Sequence, residues 1–184
     1  WHEDRDRFIL SKGHGCLALY AILADKGFFH PSELSSLCRH GSILGGHPER
    51  GKVPGVEAST GALGHGLSIA VGIALGLTLK RNAARVYVAM GDGEINEGSV
   101  WEAAMCAAKH HLDNLTAIID YNKLQSYGPV DLVLPMEPLA EKWRSFGFHV
   151  IEIDGHDCAA LAHAFGPLSW KGGKPRMVIC HTVK

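Results

Sequence analysis

The stretch Arg85-Val-Tyr-Val-Ala-Met-Gly-Asp-Gly-Glu-Ile-Asn-Glu-Gly98 begins as an apolar run and ends in a turn rich in glycine and carboxylates. A second apolar run, Leu115 to Tyr121, follows, and the segment from Gly98 to His111 between the two runs has a helical pattern. Continuous apolar runs of this length are typical of strands buried on both faces of a parallel sheet. The stretch therefore predicts a strand–helix–strand unit.

Polar residues follow both predicted strands. Asp92 follows the first strand, and Asn122, 30 positions later, follows the second. Parallel strands end at the same edge of a sheet, and ligands bind at that edge. With a backbone carbonyl just beyond Asn122, these residues would form a set of hard oxygen ligands that suits magnesium, and Gly91 and Gly93 would let a phosphate approach the backbone. We predict a magnesium–diphosphate site, although Gly-Asp-Gly alone also suits a plain turn that closes a strand.

The remaining elements alternate in the same way. Gly27 marks the end of the first helix, and Ser32 is the expected cap of the second. The order indicates an α/β fold, a parallel sheet with helices on both faces. Residues 39–60, rich in Gly, Pro and His, predict a long ordered loop with a function. The other predicted helices are 16–26, one from Pro31, 64–81, 136–146 and 158–165, and the other strands are 149–154 and 176–181.

Length, composition and net charge bear on the number of domains and on the kinds of partner. The 184 residues are 46% hydrophobic, and no linker or low-complexity tract divides them, so one domain over residues 1–184 is expected. The formal net charge is −1 and the isoelectric point is about 6.9. This balance provides no electrostatic footprint for nucleic acid or for an anionic membrane surface. We expect neither as a partner.

Cysteine usage and hydropathy point to the cytoplasm. Five cysteines are widely spread with no CxxC pair, which suits a reducing compartment better than a disulfide framework. The most apolar tract, Leu67 to Leu79, has 13 residues, whereas a membrane-spanning helix needs about 20. We expect a buried helix there and a cytoplasmic location.

Two tempting alternatives fail on spacing. A dinucleotide-binding fingerprint at Gly61-Ala-Leu-Gly-His-Gly66 lacks a preceding strand, and Ile69 stands where its third small residue should be. Twelve histidines suggest a transition-metal site, but there is no HExxH motif, and neighbouring His110 and His111 point in different directions on a helix. Taken singly, most of these histidines are ordinary surface or core residues.

Five blocks of the chain resemble transketolases, which are thiamine-diphosphate enzymes. The resemblance is closest to the transketolases encoded as separate amino-terminal and carboxy-terminal subunits, with this chain as the amino-terminal, diphosphate-binding one. Gly91-Asp-Gly93 and Asn122 match the motif that anchors the cofactor in that family. The blocks are Asp4-Arg-Asp-Arg-Phe-Ile-Leu-Ser-Lys-Gly-His-Gly15, Gly46-His-Pro-Glu49, Ser59-Thr-Gly-Ala-Leu-Gly-His-Gly66, Gly91-Asp-Gly-Glu-Ile-Asn-Glu-Gly98 and Asp154-Gly-His-Asp157.

The resemblance implies a thiamine-diphosphate-binding fold and specific roles for matched residues. The resemblance implies catalytic roles for two histidines, His14 and His47. Histidine suits such roles because it can donate a hydrogen bond while neutral and can move a proton near pH 7. Ala62 replaces a proline that is usual in the family and leaves its loop freer. The implied cofactor contacts are His14, Gly61, Leu63, Asp92, Gly93 and Asn122, the magnesium ligands are Asp92, Asn122 and the backbone of Leu124, and the catalytic residues are His14, His47 and Glu97.

Three further residues have an ordinary structural interpretation beside the functional one. Glu97 stands at a helix start, where a carboxylate is favoured anyway, although the resemblance places it in a network that links two cofactor sites across a dimer. His65 replaces a usual glutamine and is expected to start a helix. Asp157, beside His156, is expected to cap the following helix.

The chain lacks the glutamate that activates the aminopyrimidine ring of the cofactor in transketolases. Glu49 and Glu57 lie on the predicted loop but without the right motif. The resemblance therefore implies a partner, the pyrimidine-binding carboxy-terminal transketolase subunit, and a heterotetramer of two such pairs. Trp1 falls inside what resembles a longer opening, and Lys184 follows a strand directly, so short flanks are expected at both ends.

The implied function is transfer of a two-carbon ketol unit from a ketose or ketose phosphate to an aldose. A decarboxylating thiamine-diphosphate enzyme is the first alternative, as in deoxyxylulose-phosphate synthase or a 2-oxo acid dehydrogenase. A specialised biosynthetic transketolase with another acceptor is the second. A non-catalytic paralogue that keeps the fold is the third, and the intact Asp92, Asn122, His14 and His47 disfavour it.

Overall fold

The strands lie at the centre of the fold in a computed structural model of the chain, which describes residues 2–166 and 172–183. Trp1 and Lys184, where the expected flanks would join, lie outside the described residues. The strands are β1 (Arg7–Leu10), β2 (Val86–Gly91), β3 (Leu115–Tyr121), β4 (Leu124–Gln125), β5 (Gly128–Pro129), β6 (His149–Asp154) and β7 (Arg176–His181).

Within the described residues, five of these strands form one parallel sheet in the order β1-β2-β3-β7-β6. The predicted pair β2 and β3 are direct neighbours, with Val86 opposite Leu115 and Gly91 opposite Asp120. The short strands β4 and β5 form an antiparallel hairpin just beyond β3. The predicted parallel α/β sheet is confirmed.

The helices agree with the predicted order but differ at several ends. The predicted helix 64–81 is shorter at both ends, and the predicted helix 136–146 begins only at Leu139, after Pro138 at its cap. The helices are α1 (Cys16–Asp25), α2 (Gly66–Leu79), α3 (Gly98–Lys109), α4 (Val130–Val133), α5 (Leu139–Ser145) and α6 (Cys158–Phe165), with 3-10 helices at Gly13–Gly15, Pro31–Ser36 and Glu94–Asn96.

Two caps and one end were predicted, and one cap is wrong. Asp157 accepts hydrogen bonds from the N–H groups of Ala159 and Ala160, so the predicted cap of α6 is confirmed. Gly27 follows α1 with a φ of 75°, as expected for a helix end. Ser32, however, does not cap the next helix, because the ring nitrogen Nδ1 of His30 accepts from the Ser32 N–H.

Helices cover both faces of the sheet, as predicted. On one face, α2, α3 and α5 pack against alternate residues of β2 and β3 in a large apolar core around Val88 and Ala117. On the other face, α6 packs on Val178 and Cys180 of β7. Within the part of the chain that the structure describes, no helix is long and apolar enough to cross a membrane.

The predicted loop 39–60 contains neither helix nor strand, yet a second, smaller core orders it. Leu44, Val53 and Val56 from the loop pack against Tyr20 and Leu23 of α1. The Tyr20 hydroxyl also donates to the Gly45 carbonyl at 3.0 Å. The loop is therefore held by packing and by hydrogen bonds, without regular structure of its own.

Strand β1 is absent from the sequence-based prediction, although it supplies one edge of the sheet. Its residues pair with β2 in register, Arg7 with Val86 and Leu10 with Ala89. Only Ile9 and Leu10 of its four residues are buried, so its apolar pattern is too short to separate a strand from a loop.

The glycines of α2 differ in how closely other residues pack against them. A Cβ atom added to Gly66 would lie 2.1 Å from the Ser11 hydroxyl oxygen and 2.9 Å from the Ser11 Cα. A Cβ atom added to Gly72 or Gly76 would meet none of the described residues within 4 Å. Gly66 therefore makes the close contact of this helix, whereas Gly72 and Gly76 have open space around them among the described residues.

We predict that Gly66→Ala and Gly72→Ala change stability in opposite directions. Gly66→Ala should lower the free energy of unfolding by on the order of 1–3 kcal/mol, because Ser11 must shift. Gly72→Ala, exposed in a helix interior, should raise it by about 0.5–1 kcal/mol. Urea unfolding of both variants and the parent protein measures the difference, and a Gly66→Ala variant as stable as the parent contradicts the packing described above.

Candidate functional site

An open cavity of about 660 Å³ lies at the edge of the sheet where the parallel strands end. Segments that follow β1, β2, β3, β6 and β7 all contribute to its lining. The parallel arrangement explains this convergence, because all five strands point their carboxyl ends at the same edge. The predicted site residues in the lining are His14, Leu63, Asp92, Gly93, Glu97, Asn122 and Leu124.

Asp92 is a buried carboxylate of this cavity, with only 3% of its surface exposed. Its Oδ1 accepts the Gly93 N–H at 2.8 Å, and its Oδ2 accepts the Lys123 N–H at 2.6 Å. Burial raises the pKa of Asp92, and the backbone N–H groups of Lys123 and Gly93 oppose that rise. Each oxygen keeps a free lone pair, so the carboxylate can hold a cation without losing these bonds.

Asn122 stands opposite Asp92 on the loop after β3. Its Oδ1 accepts the Leu124 N–H at 2.9 Å, which closes a turn at the cavity rim. Lys123, which lies between Asn122 and Leu124 in the sequence, has a φ of 65°. This is the left-handed region, which is uncommon for residues other than glycine. The loop after β3 thus holds an amide oxygen and the Leu124 backbone beside the Asp92 carboxylate.

Lys12 and Asp120 form an ion pair in the lining of the same cavity. The Thr182 hydroxyl donates to the other carboxylate oxygen of Asp120. Burial alone would raise the pKa of Asp120, but the hydrogen bonds from Lys12 and Thr182 hold it below its ordinary value. Asp120 is therefore ionised and paired with Lys12.

The cavity has an excess of negative charge. Among the described residues of the lining, Lys12 is the only lysine or arginine, against four carboxylates: Asp92, Glu94, Glu97 and Asp120. An anionic ligand alone would be repelled here, whereas a divalent cation would be attracted. The described residues include no group of three or more His, Cys, Asp and Glu that could hold a metal ion.

Two predicted site residues lie beside the cavity and outside its lining. His47 is exposed, and a Cβ atom added to Gly61 would lie 2.7 Å from the His47 Cδ2. Gly13, next to His14, packs as closely on the Gly61 backbone, where a Cβ atom would lie 2.8 Å from the Gly61 nitrogen. The structure thus connects His47 to the His14 segment through Gly61.

His65 and His156 have local partners. His65 precedes α2, as predicted, and its Nδ1 lies 3.1 Å from the Leu63 carbonyl oxygen. The Nε2 of His156 accepts the Val183 N–H at 2.9 Å, and the residue also lines the cavity. Glu97 is exposed at the cavity and directly precedes α3.

Several residues of the lining have no site role in the prediction from sequence, and Lys12, Glu94, Asp120 and Gln125 are among them. The Gln125 Nε2 is a buried donor without a hydrogen-bond partner among the described residues. Glu94 directly follows the Gly-Asp-Gly turn, which is a signal that could have identified it. Lys12 and Asp120 are 108 positions apart, and only the fold brings them together.

The whole chain, residues 1–184, matches a family model described as the transketolase, thiamine diphosphate binding domain. The chain belongs to this family. The resemblance to transketolases that rested on five blocks of sequence is therefore confirmed.

The relatives include subunits of transketolases. The chain is 45% identical over 184 residues to a 6-deoxy-6-sulfo-D-fructose transketolase subunit from a Clostridium species, covering 100% of this chain and 66% of that protein. It is 44% identical over 180 residues to one subunit of the apulose-4-phosphate transketolase of Phocaeicola vulgatus, covering 98% of this chain and 64% of that protein. The chain thus spans just under two-thirds of the length of these relatives.

A solved transketolase has the same fold. The transketolase of Pichia stipitis, in complex with sedoheptulose-7-phosphate, superimposes with a TM-score of 0.91 at 34% identity, over 97% of this chain and 28% of that chain. The predicted fold class is confirmed in this comparison.

We predict that Lys12→Met destabilises the transketolase domain. The variant leaves the partly buried Asp120 without its cation, which should cost about 1–3 kcal/mol in the free energy of unfolding. The double variant Lys12→Met/Asp120→Asn should recover part of that loss. Chemical denaturation measures both.

Lys26→Met is the matched control, because Lys26 and Asp25 are both exposed and their charged atoms lie 3.9 Å apart. It should change stability by less than about 0.5 kcal/mol. Equal effects of Lys12→Met and Lys26→Met would mean that the Lys12–Asp120 pair has no special structural role.

Proposed function

We propose that this protein is the diphosphate-binding half of a transketolase that transfers a two-carbon ketol unit from a ketose or ketose phosphate to an aldose. The observation that supports this most is the buried Asp92 opposite Asn122 at the strand ends of a thiamine diphosphate binding domain. In this proposal, residues 1–184 act as one domain whose strand ends hold the cofactor.

Magnesium is proposed to bind between Asp92, Asn122 and the backbone carbonyl of Leu124. One carboxylate, one amide and one carbonyl are the hard oxygen donors that magnesium prefers, and they leave positions for phosphate oxygens. The negative lining supports the same assignment, because a diphosphate needs a divalent cation to enter it. The unpartnered Gln125 Nε2 is a donor suited to an anionic ligand.

When bound, thiamine diphosphate supplies the carbon nucleophile and the electron sink for cleavage of a carbon–carbon bond. In the proposal, the Gly93 backbone, Gly61 and Leu63 position this cofactor. His14, exposed in the cavity, donates to the diphosphate end and can move a proton near the reacting carbon. His47, held on Gly61, orients the sugar hydroxyls. Glu97 belongs to a carboxylate network between two sites.

A second chain is proposed to supply the activating glutamate. Glu57 is bound by Arg5 through both carboxylate oxygens, and the Glu49 Oε1 lies 3.3 Å from the Lys52 Nζ. Neither residue is among the described residues that line the cavity. The two relatives named as transketolase subunits favour a partner subunit that binds the pyrimidine end.

Exposed apolar residues beside the cavity support the same partner. Tyr127, 92% exposed, lines the cavity, and Leu132, 82% exposed, follows on α4. Large exposed apolar patches commonly mark protein interfaces. We propose that the partner covers this surface, that two such pairs form a heterotetramer, and that the assembly acts in the cytoplasm.

A specialised transketolase is the second candidate. The two relatives described above are named for 6-deoxy-6-sulfo-D-fructose and apulose-4-phosphate rather than for a common sugar phosphate. We therefore propose that the substrate is a sugar or sugar phosphate. In this second candidate, the donor substrate is an unusual ketose of this kind. Comparing turnover of these two donors with that of a common ketose phosphate distinguishes the two candidates.

We predict that binding of thiamine diphosphate requires magnesium and the Asp92 carboxylate. Calorimetry on the full-length protein with its partner subunit should show binding in MgCl₂ and loss of binding with EDTA. Asp92→Asn should weaken binding by more than about 100-fold, or about 2.7 kcal/mol, because the isosteric amide removes the charged ligand.

Asp25→Asn is the control, since Asp25 is exposed on α1 and is not among the lining residues. The affinity of this variant for thiamine diphosphate should equal that of the parent. Binding that is insensitive to EDTA would refute the proposed metal site. No binding by the parent pair would favour a non-catalytic scaffold.

We predict that the chain alone is inactive and that reconstitution with the pyrimidine-binding subunit restores ketol transfer. Hydroxypyruvate should serve as donor in the reconstituted pair, and pyruvate should not. Preferential use of pyruvate would support a decarboxylating enzyme instead. Turnover of a ketose phosphate by the purified chain with thiamine diphosphate and magnesium would disprove the half-site assignment.

A further inference from the structure

Glu94 is a buried carboxylate that borders the cavity, with 1% of its surface exposed. The roles proposed above do not involve it. A buried carboxylate is costly unless donors surround it, so its partners indicate what it does. Three donors reach it, and they come from three separate segments of the chain.

The three donors belong to the loops that form the cavity. The Oε1 of Glu94 accepts from the Ser11 hydroxyl, after β1, and from the Gly64 N–H at 3.0 Å, before α2. Its Oε2 accepts from the Gly91 N–H at 3.2 Å, at the end of β2. One side chain therefore connects three loops that are distant in the sequence.

Each of these loops also presents a residue of the proposed cofactor site. His14 lies three residues after Ser11, Leu63 directly precedes Gly64, and Asp92 directly follows Gly91. All three line the cavity. A shift of Glu94 would consequently move three residues of the proposed site relative to one another: His14, Leu63 and Asp92.

Close packing leaves these donors little freedom to adjust. Gly64 has a φ of 82°, and a Cβ atom there would lie 2.7 Å from the Glu97 Cβ. Ser11 is fully buried against Gly66, where a Cβ atom would lie 2.1 Å from its hydroxyl oxygen. The loops are fixed by contacts that suit one position of the carboxylate.

We propose that Glu94 is a positioning residue, which sets the relative places of His14, Leu63 and Asp92 for binding of the diphosphate. This inference rests on the proposed function. Glu94 acts only through the three loops and does not touch the cofactor. A carboxylate suits this place because both of its oxygens accept hydrogen bonds, and all three partners donate.

Glu94→Gln tests this requirement at constant size. A glutamine has one oxygen and one NH₂ group, so in either orientation its NH₂ group faces the N–H of Gly64 or of Gly91. We expect faster amide hydrogen exchange in the segments around Gly64 and Gly91 in the full-length protein without cofactor. We also expect thiamine diphosphate to bind roughly 10- to 100-fold more weakly at saturating magnesium in the complex with the partner subunit.

Two further variants make the test specific. Ser11→Ala removes one donor and leaves the two backbone bonds intact, so it should weaken cofactor binding less than Glu94→Gln and combine with it non-additively. Leu139→Ala removes packing from α5, whose Leu139 is buried outside the cavity lining. It should lower the melting temperature and leave cofactor affinity and exchange at Gly64 and Gly91 unchanged.

The outcomes separate this inference from the proposed function. If the parent complex binds thiamine diphosphate and Glu94→Gln binds it equally well, the positioning role is wrong and the proposed function stands. The same holds if Leu139→Ala weakens binding as much as Glu94→Gln at an equal loss of melting temperature. If the parent complex does not bind the cofactor at all, both the proposed function and the inference fail.

Discussion

The parallel pairing of β2 with β3 is the constraint on which the rest of the site depends. Because Gly91 lies opposite Asp120 in this pair, the turns that follow both strands start at the same edge. The Lys123 N–H can then bond to Asp92 and fix the two turns together. An antiparallel pair would place these turns at opposite ends of the sheet, and no common cavity would form.

The charges around this edge support the proposed metal–diphosphate ligand. Buried or partly buried carboxylates outnumber the single lysine of the described lining, and two of them are already engaged. Asp120 is paired with Lys12, and Glu94 accepts hydrogen bonds from three loops. Asp92 is the remaining buried carboxylate, and it lies beside the loop that carries Asn122 and Leu124. The protein thus separates structural carboxylates from the one that is available to a ligand.

The sequence predicted the parts of the structure whose determinants are local. The turn after β2, the helix cap at Asp157 and the apolar strands can each be recognised within a few residues. Strand β1 was missed because its four residues carry too short a pattern, and the cap at Ser32 was wrong because His30 occupies the cap position and its ring nitrogen accepts the Ser32 N–H. The partners of Glu94 and the Lys12–Asp120 pair depend on chain segments brought together only by folding, so no local pattern encodes them.

The central claim is that Asp92, Asn122 and the Leu124 carbonyl hold the metal that binds the diphosphate. A crystal structure of the complex with the partner subunit, grown with thiamine diphosphate and Mn²⁺ in place of Mg²⁺, tests it most directly through anomalous scattering. The account predicts one manganese peak within coordination distance of all three oxygens and of the diphosphate. A peak elsewhere in the cavity, or a diphosphate bound away from Asp92, would contradict it.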